Sequence, residues 1–169
     1  MTAYHLAQLN VGTTLYPMDH PEMSGFVDNL DRINALAEGS PGFVWRLQDE
    51  AGSAVGIEVD ENPRFIVNLS LWESAEALFD FVYRSAHTGI MAQRRQWFER
   101  PEAAYQVLWW LPAGQIPGIE EALARLQTLR DKGPTPEAFT FKSRFPAPGG
   151  SDTGSDSGAD LVPEPYCVG

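Results

Sequence analysis

Phe65-Ile66-Val67-Asn68-Leu69-Ser70-Leu71-Trp72-Glu73-Ser74-Ala75-Glu76 is the stretch on which the fold turns. Its first eight residues carry the branched and aromatic side chains of a strand, and because successive strand side chains take opposite faces, Asn68, Ser70 and Trp72 share one of them. Ser74 then stands where a helix N-cap belongs, and Ala77 rather than Glu three residues later predicts a simple cap without the reciprocal box. Helical spacing runs through Phe79 and Tyr83, loosens near Ser85 and resumes from Ala86 to Phe98, as two helices or one kinked helix. In the second part His87, Ile90, Met91, Arg94 and Trp97 or Phe98 fall on one face.

Outward from this centre the chain alternates between strand and helix patterns. Tyr4–Val11 reads as a first strand closed by Gly12, with Gln8 and Asn10 on one face and Leu9 and Val11 on the other. Residues 21–37 place Met23, Phe26, Val27, Leu30, Ile33, Asn34 and Ala37 at helical spacing, and Gly39, Pro41 and Gly42 stop that helix. Phe43–Gln48 is a second strand, residues 49–63 a polar connection, Phe65–Trp72 the third strand and Ala104–Leu111 a fourth, ended by Pro112 and Gly114. Ile119–Leu129 forms another amphipathic helix before Gly133-Pro134, and Ala138–Phe141 has the composition of a short fifth strand. One domain over residues 1–146 is expected, followed by a Gly-, Ser-, Asp- and Pro-rich tail, 147–169, with little to bury and so disordered.

Composition narrows the function classes. The net charge of −11, from 23 acidic and 12 basic residues, disfavours nonspecific attraction to nucleic acid or anionic lipid. Cys167 is the one cysteine, so no internal disulfide or cysteine-built zinc site can form, and a reducing, cytoplasmic setting is the simplest. No stretch has the roughly 18 apolar residues of a membrane span, and the first residues lack the pattern of a secretory leader. There is no phosphate-binding glycine loop, nucleophile elbow or spaced His and carboxylate set, which leaves metal as an unsupported cofactor.

The order β, α, β, β, α, β is that of the ferredoxin-like split βαβ unit, an α+β fold whose antiparallel sheet carries its helices on one face. Both strand faces are rich in large apolar groups: Phe43, Trp45, Phe65, Val67, Leu69, Val107 and Trp109 on one, and Leu6, Val44, Ile66, Trp72, Leu108 and Trp110 on the other. An apolar face left open by the helices is most readily buried against a second copy, so a homodimer is expected.

Several motifs resemble those of a bacterial family of unknown function within the dimeric α/β-barrel superfamily: Leu9-Asn10-Val11-Gly12, Ser40-Pro41-Gly42-Phe43-Val44-Trp45-Arg46-Leu47, Asn68-Leu69-Ser70-Leu71-Trp72-Glu73-Ser74, Phe81-Val82-Tyr83-Arg84-Ser85-Ala86-His87 and Trp109-Trp110-Leu111-Pro112-Ala113-Gly114. The resemblance covers residues 3–146. It implies the dimeric α/β-barrel fold and a relation to antibiotic-biosynthesis monooxygenases, haem-degrading monooxygenases, chlorite dismutases, aldoxime dehydratases and lactone isomerases. In similar haem-degrading members an Asn on the first strand, a Trp and a helical His surround the cofactor. Asn10 and His87 stand at such places here, with Phe81 where that Trp would be.

The face of Tyr4, Gln8, Asn10, Arg46, Asn68, Ser70, Trp72, Gln106 and Trp110 mixes amides, a hydroxyl and a guanidinium with indoles, as a binding pocket does; cross-sheet hydrogen bonding or a dimer interface would suit the same groups. The expected function is a small-molecule enzyme, monooxygenase-like or cyclase/isomerase-like, acting without a cofactor on a hydrophobic or aromatic metabolite. His87 would move protons, and Asn68, Asn10 and Arg46 would hold an enolate-type oxygen. Gln8, Ser70, Trp72, Met91, Arg94, Trp97 and Trp110 would bind substrate. The alternatives are a haem enzyme with His87 as axial ligand and a noncatalytic protein that binds a small ligand.

Overall fold

The structure, a computed structural model, describes residues 3–48, 61–84 and 93–149. Its elements are β1 (Tyr4–Thr13), α1 (Ser24–Glu38), β2 (Phe43–Arg46), β3 (Phe65–Trp72), α2 (Ala75–Arg84), β4 (Gln106–Pro112) and α3 (Ile119–Lys132). The four strands lie in the order β2-β3-β1-β4, every neighbouring pair antiparallel, which is the ferredoxin-like arrangement with the first and third strands at the centre. No described helix is long and apolar enough to cross a membrane.

Local chemistry sets the ends of these elements. A 3-10 turn at Pro21–Met23 leads into α1, its first N–H groups served by proline's lack of one and by His20 Nδ1, which accepts from Glu22 N–H at 3.1 Å. Ser74 Oγ accepts from Ala77 N–H at 3.1 Å, the simple cap expected at the start of α2. Gly133, at φ 74°, ends α3 in a backbone region that suits glycine.

The two sheet faces are covered by different helices. Leu6, Ile66, Trp72 and Leu108 pack with Met23, Phe26, Leu30 and Ile33 of the α1 region and with Leu78, Phe81 and Val82 of α2. Ala7, Leu9, Val67, Leu69, Val107 and Trp109 on the reverse face pack with Ala122, Leu126 and Leu129 of α3. Thus α1 and α2 share one face, as the split βαβ unit requires, and part of the cover expected from a second copy comes from the chain's own third helix. Because α3 lies over β4 and β1, Trp45 and Phe65 near the β2 edge are only half-buried.

Three expectations are corrected. Phe43 does not share a face with Trp45: the register shifts between them, Phe43 pairing with Trp72 and Trp45 with Leu71, so Phe43 turns under the helices and Val44 outward. A bulge inserts one residue and reverses the alternation. The helix expected to reach Phe98 gives way, over the described residues 93–98, to a single 3-10 turn at Arg94–Gln96. There the backbone pairs with the end of β1 instead, Leu15 N–H donating to Trp97 O at 2.7 Å and Glu99 N–H to Thr13 O at 2.8 Å. Ala138–Phe141 forms an isolated bridge through Phe139 and Leu108 rather than a fifth strand.

Gly42 joins α1 to β2 at φ 84°, and a Cβ there would run into the Cβ of Ala77 on α2. Gly42→Ala combines left-handed backbone strain with a clash between packed elements and is expected to cost about 2–4 kcal/mol in chemical denaturation. Ala77→Gly in the same chain should restore part of that loss. A Gly42→Ala protein as stable as the parent would show that the turn does not approach α2 this closely.

Candidate functional site

Strand register arranges the helix-covered face in rows. Phe43, Trp72, Leu6 and Trp110 form an aromatic row; Arg46, Ser70, Gln8 and Leu108 the next; Asn68, Asn10 and Gln106 a third; and Ile66 with Gly12 the last. The polar residues therefore run diagonally across all four strands between apolar rows. No local pattern in any one strand produces this band. It arises because antiparallel register brings positions far apart in sequence side by side.

The band is one hydrogen-bonded network centred on Gln8. Gln8 Nε2 donates to Ser70 Oγ at 3.0 Å and to Asn68 Oδ1 at 3.3 Å, while Gln8 Oε1 accepts from Asn10 Nδ2 at 3.0 Å and Gln106 Nε2 at 2.8 Å. Ser70 Oγ also accepts from the Trp72 indole N–H at 3.0 Å. Gln8, Asn10, Ser70 and Gln106 are buried, and Asn68 is half-buried. A buried polar group without a partner costs about 1–3 kcal/mol, so mutual pairing is what allows four amides and a hydroxyl beneath the helices. Two ends stay open among the described residues: Asn68 Nδ2 makes no hydrogen bond, and buried Gln106 Oε1 has no donor.

At the β2 end Arg46 is buried, and its Nε donates to Glu38 Oε1 at 2.7 Å. One turn earlier on α1, Asn34 is also buried and its Nδ2 has no acceptor among the described residues. By spacing Asn34 belongs to the apolar stripe of α1, where a carboxamide is the signal of a polar role. At the β4 end the Arg94 guanidinium lies 5.2 Å from the ring centres of both Phe98 and Tyr105. Burial lowers its pKa to about 10, against a smaller opposing effect of Tyr105, so Arg94 is a cation at neutral pH.

The structure thus brings together Gln8, Asn10, Arg46, Asn68, Ser70 and Trp72, and it sets Arg94 by the β4 end of that group. Trp72 is buried, stacked on Phe81 at 5.2 Å and edge-on to Phe43 at 5.4 Å, so the indole ring is a packed floor with its N–H turned into the network. Half-buried Trp110 flanks Leu6 on the other side and donates to Phe145 O at 2.8 Å. Trp97 is apart from the band, buried against Phe26 at 5.7 Å and facing Gly25. His87 and Met91 lie outside the described residues. Gln106, expected on this face but given no role of its own, joins the network at β4 through Gln8.

The two other histidines are placed away from the band: His5 is paired with Leu111 on the reverse face, and His20 is stacked on Tyr16 at 4.5 Å. Among the described residues no histidine faces the band, and His87, the expected axial ligand, lies outside them.

A family model described as a domain of unknown function, DUF3291, matches residues 5–155. No curated protein matches the sequence. Among solved structures the chain is similar to SnoaB, a cofactor-independent oxygenase from Streptomyces nogalater, at 17% identity over 68% of this chain and 97% of that one, with a TM-score of 0.45. It is also similar to the NE2512 protein of unknown function from Nitrosomonas europaea, at 12% identity over 70% of this chain and 99% of that one, with a TM-score of 0.43.

Proposed function

The chain belongs to the DUF3291 family, and we propose that its polar band is the floor of a small-molecule site, used by a cytoplasmic homodimeric enzyme of monooxygenase-like or cyclase/isomerase-like chemistry. The observation that carries the reading is Asn68. Its Oδ1 is engaged by Gln8, which holds the carboxamide in one orientation and leaves Nδ2 as a fixed donor at the least buried point of the network. A preorganised N–H of this kind stabilises an oxygen on which negative charge develops, such as an enolate or phenolate formed by proton removal from a hydrophobic or aromatic metabolite. Asn10, bonded to Gln8, and Arg46, bonded to Glu38, add positive potential beside it, and His87 is the proton acceptor in the proposal, since imidazole exchanges protons near neutral pH. No resident cofactor is required for such a step.

Native mass spectrometry and an absorption spectrum of the purified protein test this together. Two chains carrying a small aromatic compound, without a haem band, are the expected result. Converted by the protein, that compound should turn over about 10²–10³-fold more slowly with Asn68→Ala, the scale of losing one oxyanion donor. Unchanged turnover in both Asn68→Ala and His87→Ala would remove these residues from the chemistry, and a bound compound that the protein does not convert would replace the catalytic reading with ligand binding alone.

A further inference from the structure

We propose that Phe145 keeps a ligand site closed by filling it. Its ring lies on Phe139 and its carbonyl on Trp110, the places that an aryl ring and a carbonyl two carbons removed from it take when residues 140–145 lift off the edge of β4. The biological meaning of such a site rests on the proposed function, but its measurement needs no turnover. The strap runs along the outer side of β4 from Leu108 to Trp110, and its ends are held unequally. At the first, Phe139 N–H donates to Leu108 O at 2.9 Å and Leu108 N–H to Phe139 O at 2.8 Å. The Phe139 ring is fully enclosed, and Phe141 is buried 6.0 Å from both Phe79 and Tyr83 of α2. At the second, half-buried Phe145 accepts from the Trp110 indole N–H at 2.8 Å and leans its ring on Phe139 at 5.9 Å. Lys142, Ser143 and Arg144 in between are exposed. A segment opens first where its attachment is weakest, which here is the Phe145 end.

The two contacts of Phe145 describe what replaces it. Lifting it bares an aromatic ring and the N–H of a half-buried indole, which calls for an acceptor wherever water is kept out. In phenylalanine the ring and the carbonyl are joined through Cβ and Cα. A ligand with that spacing, an arylalkyl ketone or amide, therefore makes both contacts at once. One acceptor is exchanged for another, so the indole stays satisfied, whereas a compound whose carbonyl sits elsewhere on the chain places its ring and strands the N–H. Neither Phe139 nor Trp110 carries a charge, which suits a ligand that is neutral at this end. Trp110 shares its row with Leu6 and Trp72, beside the row of Ser70 and Gln8, so the site borders the polar band. Because the closed strap excludes the ligand, observed affinity is the intrinsic affinity reduced by the open fraction, and weakening the Phe145 end raises it.

Benzylacetone, which has this spacing, and its isomer butyrophenone, whose carbonyl is attached to the ring, test the site by NMR titration of the full-length protein with the tryptophan indole signals assigned. Benzylacetone should bind about tenfold more tightly than its isomer, the scale of one hydrogen bond, and shift the Trp110 indole signal. Phe145→Ala, which empties the place of the ring, should tighten benzylacetone binding about tenfold, and Trp110→Phe should bring the two isomers to equal affinity. Without ligand, the Trp110 indole proton should exchange with solvent at least about tenfold faster than that of Trp72, which is held by buried Ser70. Phe145→Ala should speed the first exchange and leave the second unchanged, a readout that serves even if Trp110→Phe fails to fold. No binding of benzylacetone, equal affinity for the isomers, affinity unimproved by Phe145→Ala, or a Trp110 indole that exchanges as slowly as Trp72 would each overturn the proposal. Turnover in Asn68→Ala bears on the chemistry alone, so the strap and the proposed reaction fail separately.

Discussion

Gln8→Ala is expected to lower the melting temperature by about 10 °C, a large loss for removal of one side-chain amide. Gln8 joins Ser70, Asn68, Asn10 and Gln106, and its removal leaves the Asn10 and Gln106 amide N–H groups without their acceptor beneath the helices. At about 1–3 kcal/mol per stranded group, with a cavity in addition, the expected cost is roughly 3–5 kcal/mol. The informative comparison is an apolar band, in which Gln8→Leu, Asn10→Leu, Asn68→Leu, Ser70→Ala and Gln106→Leu are combined. Removing all partners together strands far fewer groups, so this variant should regain much of the stability lost by the single change. Such recovery would show that the network is not needed to hold the fold, which is what a site kept for chemistry predicts. A single variant within about 1 kcal/mol of the parent in denaturant titration would instead mean that water reaches these groups freely.

Leu126→Asp should be at least as damaging, by about 4 kcal/mol or more, because it sets a carboxylate in the apolar layer between α3 and the sheet. Leu126 is almost wholly enclosed, 2% exposed, in the cluster that holds Leu9, Val107 and Trp109. Lifting α3 uncovers that face, so the variant should also self-associate, visible as added mass in light scattering at concentrations where the parent does not aggregate. A stable Leu126→Asp protein of unchanged mass would mean that α3 does not cover the reverse face in solution. The exposed neighbour Gln127, whose side chain donates to Asp131 at 2.8 Å, gives the control: Gln127→Asp should change stability little.

Much of this architecture was legible in the chain. The stretch Phe65–Trp72 is a strand over the residues expected, Ser74 caps α2 as its position implied, and the shared face of Gln8, Asn10, Asn68 and Ser70 follows from period-two alternation. Phe43 was misplaced because a bulge consumes one residue without any local mark of its own. Trp97 read as a pocket wall on helical spacing, yet residues 94–96 are a 3-10 turn and the indole is buried against Phe26. The competing effect there is long-range: the backbone on either side of Trp97 and Phe98 finds its partners at the end of β1.

What the sequence determined by itself is which residues alternate, which stripe of each helix is apolar, and therefore the α+β order and the membership of the polar band. Those properties are local, set by backbone geometry at a spacing of two or 3.6 residues. Only the tertiary structure decided that α3 covers part of the face otherwise left to a second copy, and that Gln8 is the hub with Asn68 and Gln106 as its open ends. An apolar stripe specifies that something must cover it without specifying what, and an amide's partners depend on residues about 60 to 100 positions away that meet only once strand register is set.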